Sequence, residues 1–99
     1  MSKTIITVFG TSKAKPGDEV FQRAYGIGKA LGRKGFVIAN GGYGGTMLAV
    51  AKGAAEAGGE VIGVTCSAFK RSRANEYVTK EIVTDSLQER LKKLVELAS

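Results

Sequence analysis

A chain of 99 residues, 43% hydrophobic and 24% charged, is long enough for one domain with one core and short for an α/β enzyme. It has no histidine and one cysteine, which excludes Ser-His-Asp and Cys-His devices, removes the commonest zinc ligand and forbids an internal disulfide. The formal net charge of +6 favours acidic partners such as nucleotides, or else serves only to keep the surface solvated.

Thr4 to Phe9 is rich in β-branched residues and ends in Gly10-Thr11-Ser12, so it reads as a first, buried strand. A polar loop, Lys13 to Gly17, leads to Asp18, where a helix is expected to run to Lys34. Its apolar positions (Val20, Phe21, Ala24, Tyr25, Ile27, Gly28, Leu31) share one face, and Gly35 stops it. Phe36 to Asn40 reads as the second strand, Thr46 to Ala57 as a second helix, and Glu60 to Thr65 as a third strand. A polar loop from Cys66 to Glu76 carries Lys70-Arg71-Ser72-Arg73. Val78 to Thr84 forms a short fourth strand. Asp85 or Ser86 then caps a helix reaching about Ala98, with Leu87, Leu91, Leu94, Val95 and Ala98 on its apolar face. Apolar strands alternating with helices imply an α/β fold: a Rossmann-like parallel sheet of three or four strands with flanking helices.

The densest signal is Gly41-Gly42-Tyr43-Gly44-Gly45, between the second strand and the second helix. Four glycines in five residues suit a sharp turn that lets something approach closely. A glycine-rich turn into a helix N-terminus directs N–H groups and a positive dipole end at one spot, which suits a phosphate. The bland alternative is a turn that merely requires positive φ. In an open α/β sheet, ligands lie beyond the carboxyl ends of the strands, where this loop and Gly10-Thr11-Ser12 should converge. Thr11 and Ser12 either contact the ligand or cap the segment that follows. The basic loop at 70–73 reads first as solvated surface, with a mobile lid over the phosphate as the alternative. Nucleic acid is not an expected partner, since no recognition motif flanks it. Cys66 is expected to be a small buried residue. No run approaches the roughly 20 apolar residues of a membrane span, and no signal-peptide pattern follows Met1. A cytoplasmic location without membrane contact is expected.

Val8-Phe9-Gly10-Thr11-Ser12, Gly41 to Met47, Ala51, Ala54, Gly58-Gly59, Val61 to Thr65 and Glu89-Arg90 occur in an order that resembles the LOG family. These are cytokinin riboside 5′-monophosphate phosphoribohydrolases, formerly described as lysine decarboxylase-like, within a wider group that includes molybdenum-cofactor carriers. The resemblance implies hydrolysis of the N-glycosidic bond of a nucleoside 5′-monophosphate such as AMP, releasing the base and ribose 5-phosphate. It implies a ligand site lined by Gly10, Thr11, Ser12, Gly41, Gly42, Gly44, Gly45, Thr46 and Met47. It makes Arg90 the family's binding and catalytic arginine; by its own pattern Arg90 reads equally as a solvated residue on a charged helix face. No resident cofactor and no metal site are implied.

The family's P-G-G-x-G-T-x-x-E motif, which supplies the catalytic glutamate, does not occur here. Leu91 replaces the lysine that usually follows the arginine, and Cys66 a proline. Residues 1–99 therefore read as a single nucleotide-binding domain like the first half of such a protein: a fragment, a truncated gene product or a small binding relative. The alternative function is a non-catalytic nucleotide-binding or cofactor-carrier module. The first strand should be an exposed edge, and self-association is expected through it.

Overall fold

The computed structural model describes residues 4–11, 13–68 and 74–98. The elements are β1 (Ile5–Thr7), α1 (Glu19–Arg33), β2 (Val37–Asn40), α2 (Thr46–Glu56), β3 (Val61–Cys66), β4 (Lys80–Thr84) and α3 (Leu87–Leu97). All strands are parallel and lie in the order β1-β2-β3-β4, a four-stranded Rossmann-like sheet with helices on both faces.

β2 and β3 are buried along their whole length because neighbours flank them and helices cover both faces. Alternation along β2 sends Ile38 into one layer and Val37 and Ala39 into the other. In the first layer Ile38 and Val61 meet Phe21 and Ala24 of α1 and Ala49, Val50, Ala51 and Ala54 of α2. In the second, Val37, Ala39, Ile62 and Val64 lie beneath Leu94 of α3. Burying each of the larger side chains contributes about 1.5–3 kcal/mol.

Glycines on both helices let α1 approach α2. A Cβ on Gly28 would stand 2.1 Å from the Val50 carbonyl oxygen, and one on Gly53 2.2 Å from the Tyr25 carbonyl oxygen. Only glycine permits that separation.

β1 departs from expectation. It covers three residues rather than six and is half-buried rather than buried. It is the outermost strand, paired with β2 alone in the sheet. Phe9, expected within the strand, lies beyond it and is 58% exposed. β4 starts at Lys80, two residues later than expected, after the Thr79 hydroxyl has bonded the Val61 carbonyl at 2.9 Å.

Ser86, not Asp85, caps α3: its side chain accepts the Glu89 N–H at 3.1 Å, and Glu89 reaches back to the Asp85 N–H at 3.4 Å. α3 then crosses beneath the sheet, touching all four strands, and the Thr7 hydroxyl donates to the Leu94 carbonyl at 2.7 Å. Among the described residues no helix is long and apolar enough to cross a membrane.

Candidate functional site

The two glycine-bearing loops do meet at the carboxyl edge of the sheet, and two threonines join them. The Thr46 N–H donates to the Thr11 carbonyl at 2.9 Å, and the Thr11 N–H donates to Thr46 Oγ1 at 2.9 Å. Gly10 is small because Thr46 lies against it; a Cβ there would be 1.9 Å from Thr46 Oγ1. Thr11 Oγ1 accepts the Lys13 N–H at 3.1 Å, a local turn. Ser12, and the 70–73 cluster with it, lie outside the described residues.

The glycine-rich turn is held by two asparagines. Asn40 is fully buried; its Oδ1 accepts the Gly42 N–H at 2.8 Å and its Nδ2 donates to the Met47 carbonyl at 3.0 Å. Asn75 donates through Nδ2 to the Tyr43 carbonyl at 2.9 Å and through its backbone N–H to the Gly42 carbonyl at 2.7 Å. With its carbonyls held from outside, the turn keeps one shape. Gly42 and Gly45 have φ of 77° and 67°, a region closed to most side chains. In the first turn of α2, the N–H groups of Met47 and Leu48 have no partner among the described residues. They stand at the positive end of the helix dipole.

Arg90 is not splayed into solvent. It reaches from the first turns of α3 to the sheet edge, where Nε donates to the Val64 carbonyl at 2.9 Å and Nη2 to the Gly41 carbonyl at 3.1 Å. Its guanidinium carbon lies 5.2 Å from the centroid of the Tyr43 ring, a cation–π contact. Tyr43 is itself anchored by its hydroxyl, which accepts the Cys66 N–H at 2.8 Å. Cys66 is buried at the end of β3.

Beside these groups is a cavity of about 270 Å³ lined by Val8, Phe9, Gly10, Gly41, Tyr43, Met47, Arg90, Leu91 and Leu94. Of the residues named from sequence, Gly10, Gly41, Met47 and Arg90 line it. Thr11 and Thr46 line a neighbouring apolar cavity of about 410 Å³, together with Val20 and Ile27 of α1. Gly42, Gly44 and Gly45 shape the turn without lining either cavity. Neither described lining contains a carboxylate. Glu56 accepts the Tyr25 hydroxyl and lines neither cavity.

Sequence reasoning missed the two asparagines and the part played by Tyr43. The Asn40-Gly41 pair was the available signal, since Asn before Gly commonly bonds its own turn. Asn75 carries none, because only the fold brings it to the turn.

A family model described as the SLOG cluster4 family matches residues 3–98. The solved molybdenum cofactor binding protein from Rippkaea orientalis is similar over 99% of this chain and 60% of its own, with 30% identity and a TM-score of 0.86. The Moco carrier protein from Chlamydomonas reinhardtii is similar over 84% of this chain and 50% of its own, with 34% identity and a TM-score of 0.74. An uncharacterized protein of Archaeoglobus fulgidus is 38% identical over 68 residues, 69% of this chain and 44% of the relative. The chain spans about half the length of these relatives.

Proposed function

We propose that this chain, which belongs to the SLOG cluster4 family, is a non-catalytic binding module for a nucleotide-like, phosphate-bearing molecule, of the molybdenum-cofactor-carrier kind. The observation that carries the reading is Arg90, drawn from α3 onto the glycine-rich turn beside a cavity whose described lining has no carboxylate. That arrangement suits holding an anion. Hydrolysis of a glycosidic bond asks for a carboxylate near the developing oxocarbenium charge or to activate water, and the lining offers none among the described residues.

In this proposal Arg90 and the first-turn N–H groups of α2 meet the phosphate, and Gly10, Gly41 and Met47 form the floor. Gly42, Gly44, Gly45, Thr46, Thr11 and Ser12 belong to the loops that bring those groups together. Ligand sites commonly measure about 300–1,000 Å³, so a cavity near 270 Å³ encloses the anionic part of such a molecule and leaves the remainder at its mouth. Among the described residues no cluster of three metal-ligating side chains occurs. A metal-bearing cargo would therefore be held through its organic portion. Self-association and a cytoplasmic setting belong to the same proposal.

The test is titration of the chain with AMP and with molybdenum cofactor by calorimetry, alongside chromatography for released adenine. Saturable binding without adenine, weakened in Arg90→Ala, is the expected result. Adenine released by the wild type and not by Arg90→Ala would restore the phosphoribohydrolase reading. No saturable binding of either compound would overturn the binding reading.

A further inference from the structure

Among the described residues two side chains carry sulfur, Cys66 and Met47, and both lie near the carboxyl edge of the sheet. Cys66 is 3% exposed and lines none of the described cavities. Met47 is 8% exposed, yet it lines the site cavity of about 270 Å³. Its sulfur stands among other lining residues: Sδ is 3.8 Å from Arg90 Nη2, and a Cβ on Gly41 would come within 2.5 Å of it. The residue cannot swing away as a unit, because Asn40 holds its carbonyl at 3.0 Å. Hydrogen peroxide is little larger than water, whose share of liquid volume is about 30 Å³, so a cavity of this size admits it.

We infer that Met47 is a redox-sensitive modification site, whose oxidation to the sulfoxide by a peroxide closes the anion site beside Arg90. The inference rests on the binding reading above and adds its regulation. A sulfur lone pair attacks one peroxide oxygen, so the S–O bond forms as the O–O bond breaks. The sulfur gives up two electrons and the peroxide takes them. The departing hydroxide collects the proton of the transferred hydroxyl and leaves as water.

The product changes what the sulfur does. A thioether is a weak acceptor; a sulfoxide is polar and its oxygen accepts strongly. Buried, that oxygen must find a donor. Its Gly41 side is closed, and the donors within reach are the Arg90 guanidinium and the first-turn N–H groups of α2. These are the groups assigned above to the ligand's phosphate. The sulfoxide oxygen therefore stands in for a phosphate oxygen, and the guanidinium turns from the cavity to Met47. A bound ligand, in turn, covers the sulfur and should slow its oxidation.

The experiment treats the folded 99-residue chain with dilute hydrogen peroxide, locates the added oxygen by peptide mass mapping, and titrates AMP by calorimetry before and after. The methionines are Met1 and Met47, which fall in separate peptides. One oxygen on Met47, gained more slowly in the presence of AMP, and a Kd raised about tenfold to a hundredfold are expected. Met47→Leu, a volume-conserving change, should keep through the same treatment whatever affinity it starts with. Met47 left unoxidised, Met47 oxidised without loss of affinity, or an equal loss in Met47→Leu each overturns the inference. Far-ultraviolet circular dichroism should be unchanged by the treatment; its collapse would replace closure of the site with general damage. If neither AMP nor molybdenum cofactor binds the untreated chain, the binding reading fails on its own. The Arg90 Nε–H resonance then reads the contact without a ligand: a shift on oxidation in the wild type, absent in Met47→Leu, supports capture of the guanidinium, and an unmoved resonance overturns it.

Discussion

Replacing Gly41 by Ala should unseat Arg90 and leave the fold almost as stable as before. The added Cβ would lie 1.8 Å from Arg90 Nη2 and 2.5 Å from Met47 Sδ, against an ordinary contact near 3.4 Å. The guanidinium must therefore retreat by about 1.6 Å, and its 3.1 Å bond to the Gly41 carbonyl cannot survive. Both obstructing atoms are the far ends of flexible side chains, so the backbone need not move. Losing that half-buried bond costs about 1 kcal/mol. Gly41 is not among the positive-φ glycines, so Ala at this position also restricts the unfolded chain, which returns about 0.4–1 kcal/mol. The two nearly cancel. Gly42→Ala is the contrast: φ of 77° and a backbone neighbour, the Gly63 Cα, 3.2 Å from the new Cβ, make it destabilising by about 1–2 kcal/mol. Urea unfolding of both variants measures the stabilities, and AMP calorimetry the binding. If Arg90 meets the ligand from its present seat, Gly41→Ala loses about 1.5–3 kcal/mol of binding, roughly tenfold to a hundredfold in Kd. Unchanged AMP affinity would refute a role for the seated arginine. Destabilisation equal to that of Gly42→Ala would refute the argument that only side chains obstruct.

Gly28→Ala drives a Cβ into the Val50 backbone, 2.1 Å from its carbonyl oxygen, where no side chain can swing away; a loss of about 1–3 kcal/mol or more is expected in thermal unfolding, with ligand chemistry untouched. Asn75→Ala frees the Tyr43 carbonyl and the Tyr77 N–H, while its backbone N–H still holds the Gly42 carbonyl, so AMP should bind more weakly and urea stability should fall by about 1–2 kcal/mol. Ser86→Ala removes the α3 cap and should cost about 1 kcal/mol, and AMP affinity should fall with it because Arg90 stands four residues on. The hydrogen bond to Glu56, ahead of desolvation and the Glu56 charge, raises the Tyr25 pKa above its ordinary 10.0. Its contribution is therefore complete below pH 10 and lost as pH climbs through the raised value. Alkaline spectrophotometric titration should show a late Tyr25 phenolate that moves back toward the ordinary range in Glu56→Gln, while the Tyr77 phenolate, raised chiefly by desolvation, stays late.

Much of this architecture was legible from local chemistry. β-Branched runs placed β2 and β3, Gly35 after the apolar stripe placed the end of α1 to within a residue, and α2 ends one residue before the expected Ala57. The meeting of the two loops followed from parallel order alone. What could not be read were features decided by distance in space. The edge position of β1 was expected, but its length was not: of Thr4 to Phe9 only Ile5–Thr7 are strand. Arg90 looks like Lys92 and Lys93 in sequence, and only the path of α3 separates an arginine seated on two carbonyls from two lysines on a charged face. Asn75 is 33 residues from the turn it clamps.

α3 is the most lightly held of the three helices: Leu94 is its one buried residue, where α2 buries seven. It nevertheless makes the longest closure among the side-chain bonds of the described residues, 87 residues from Leu94 to Thr7, and carries the arginine of the site. Detachment of such a helix is a low-cost excursion from the native state, compared with separating α1 from α2. Every such excursion withdraws the guanidinium from the glycine turn. Occupancy of the site and docking of α3 are then one equilibrium seen from two ends, and a bound anion should slow deuterium uptake along α3 more than anywhere else in the chain.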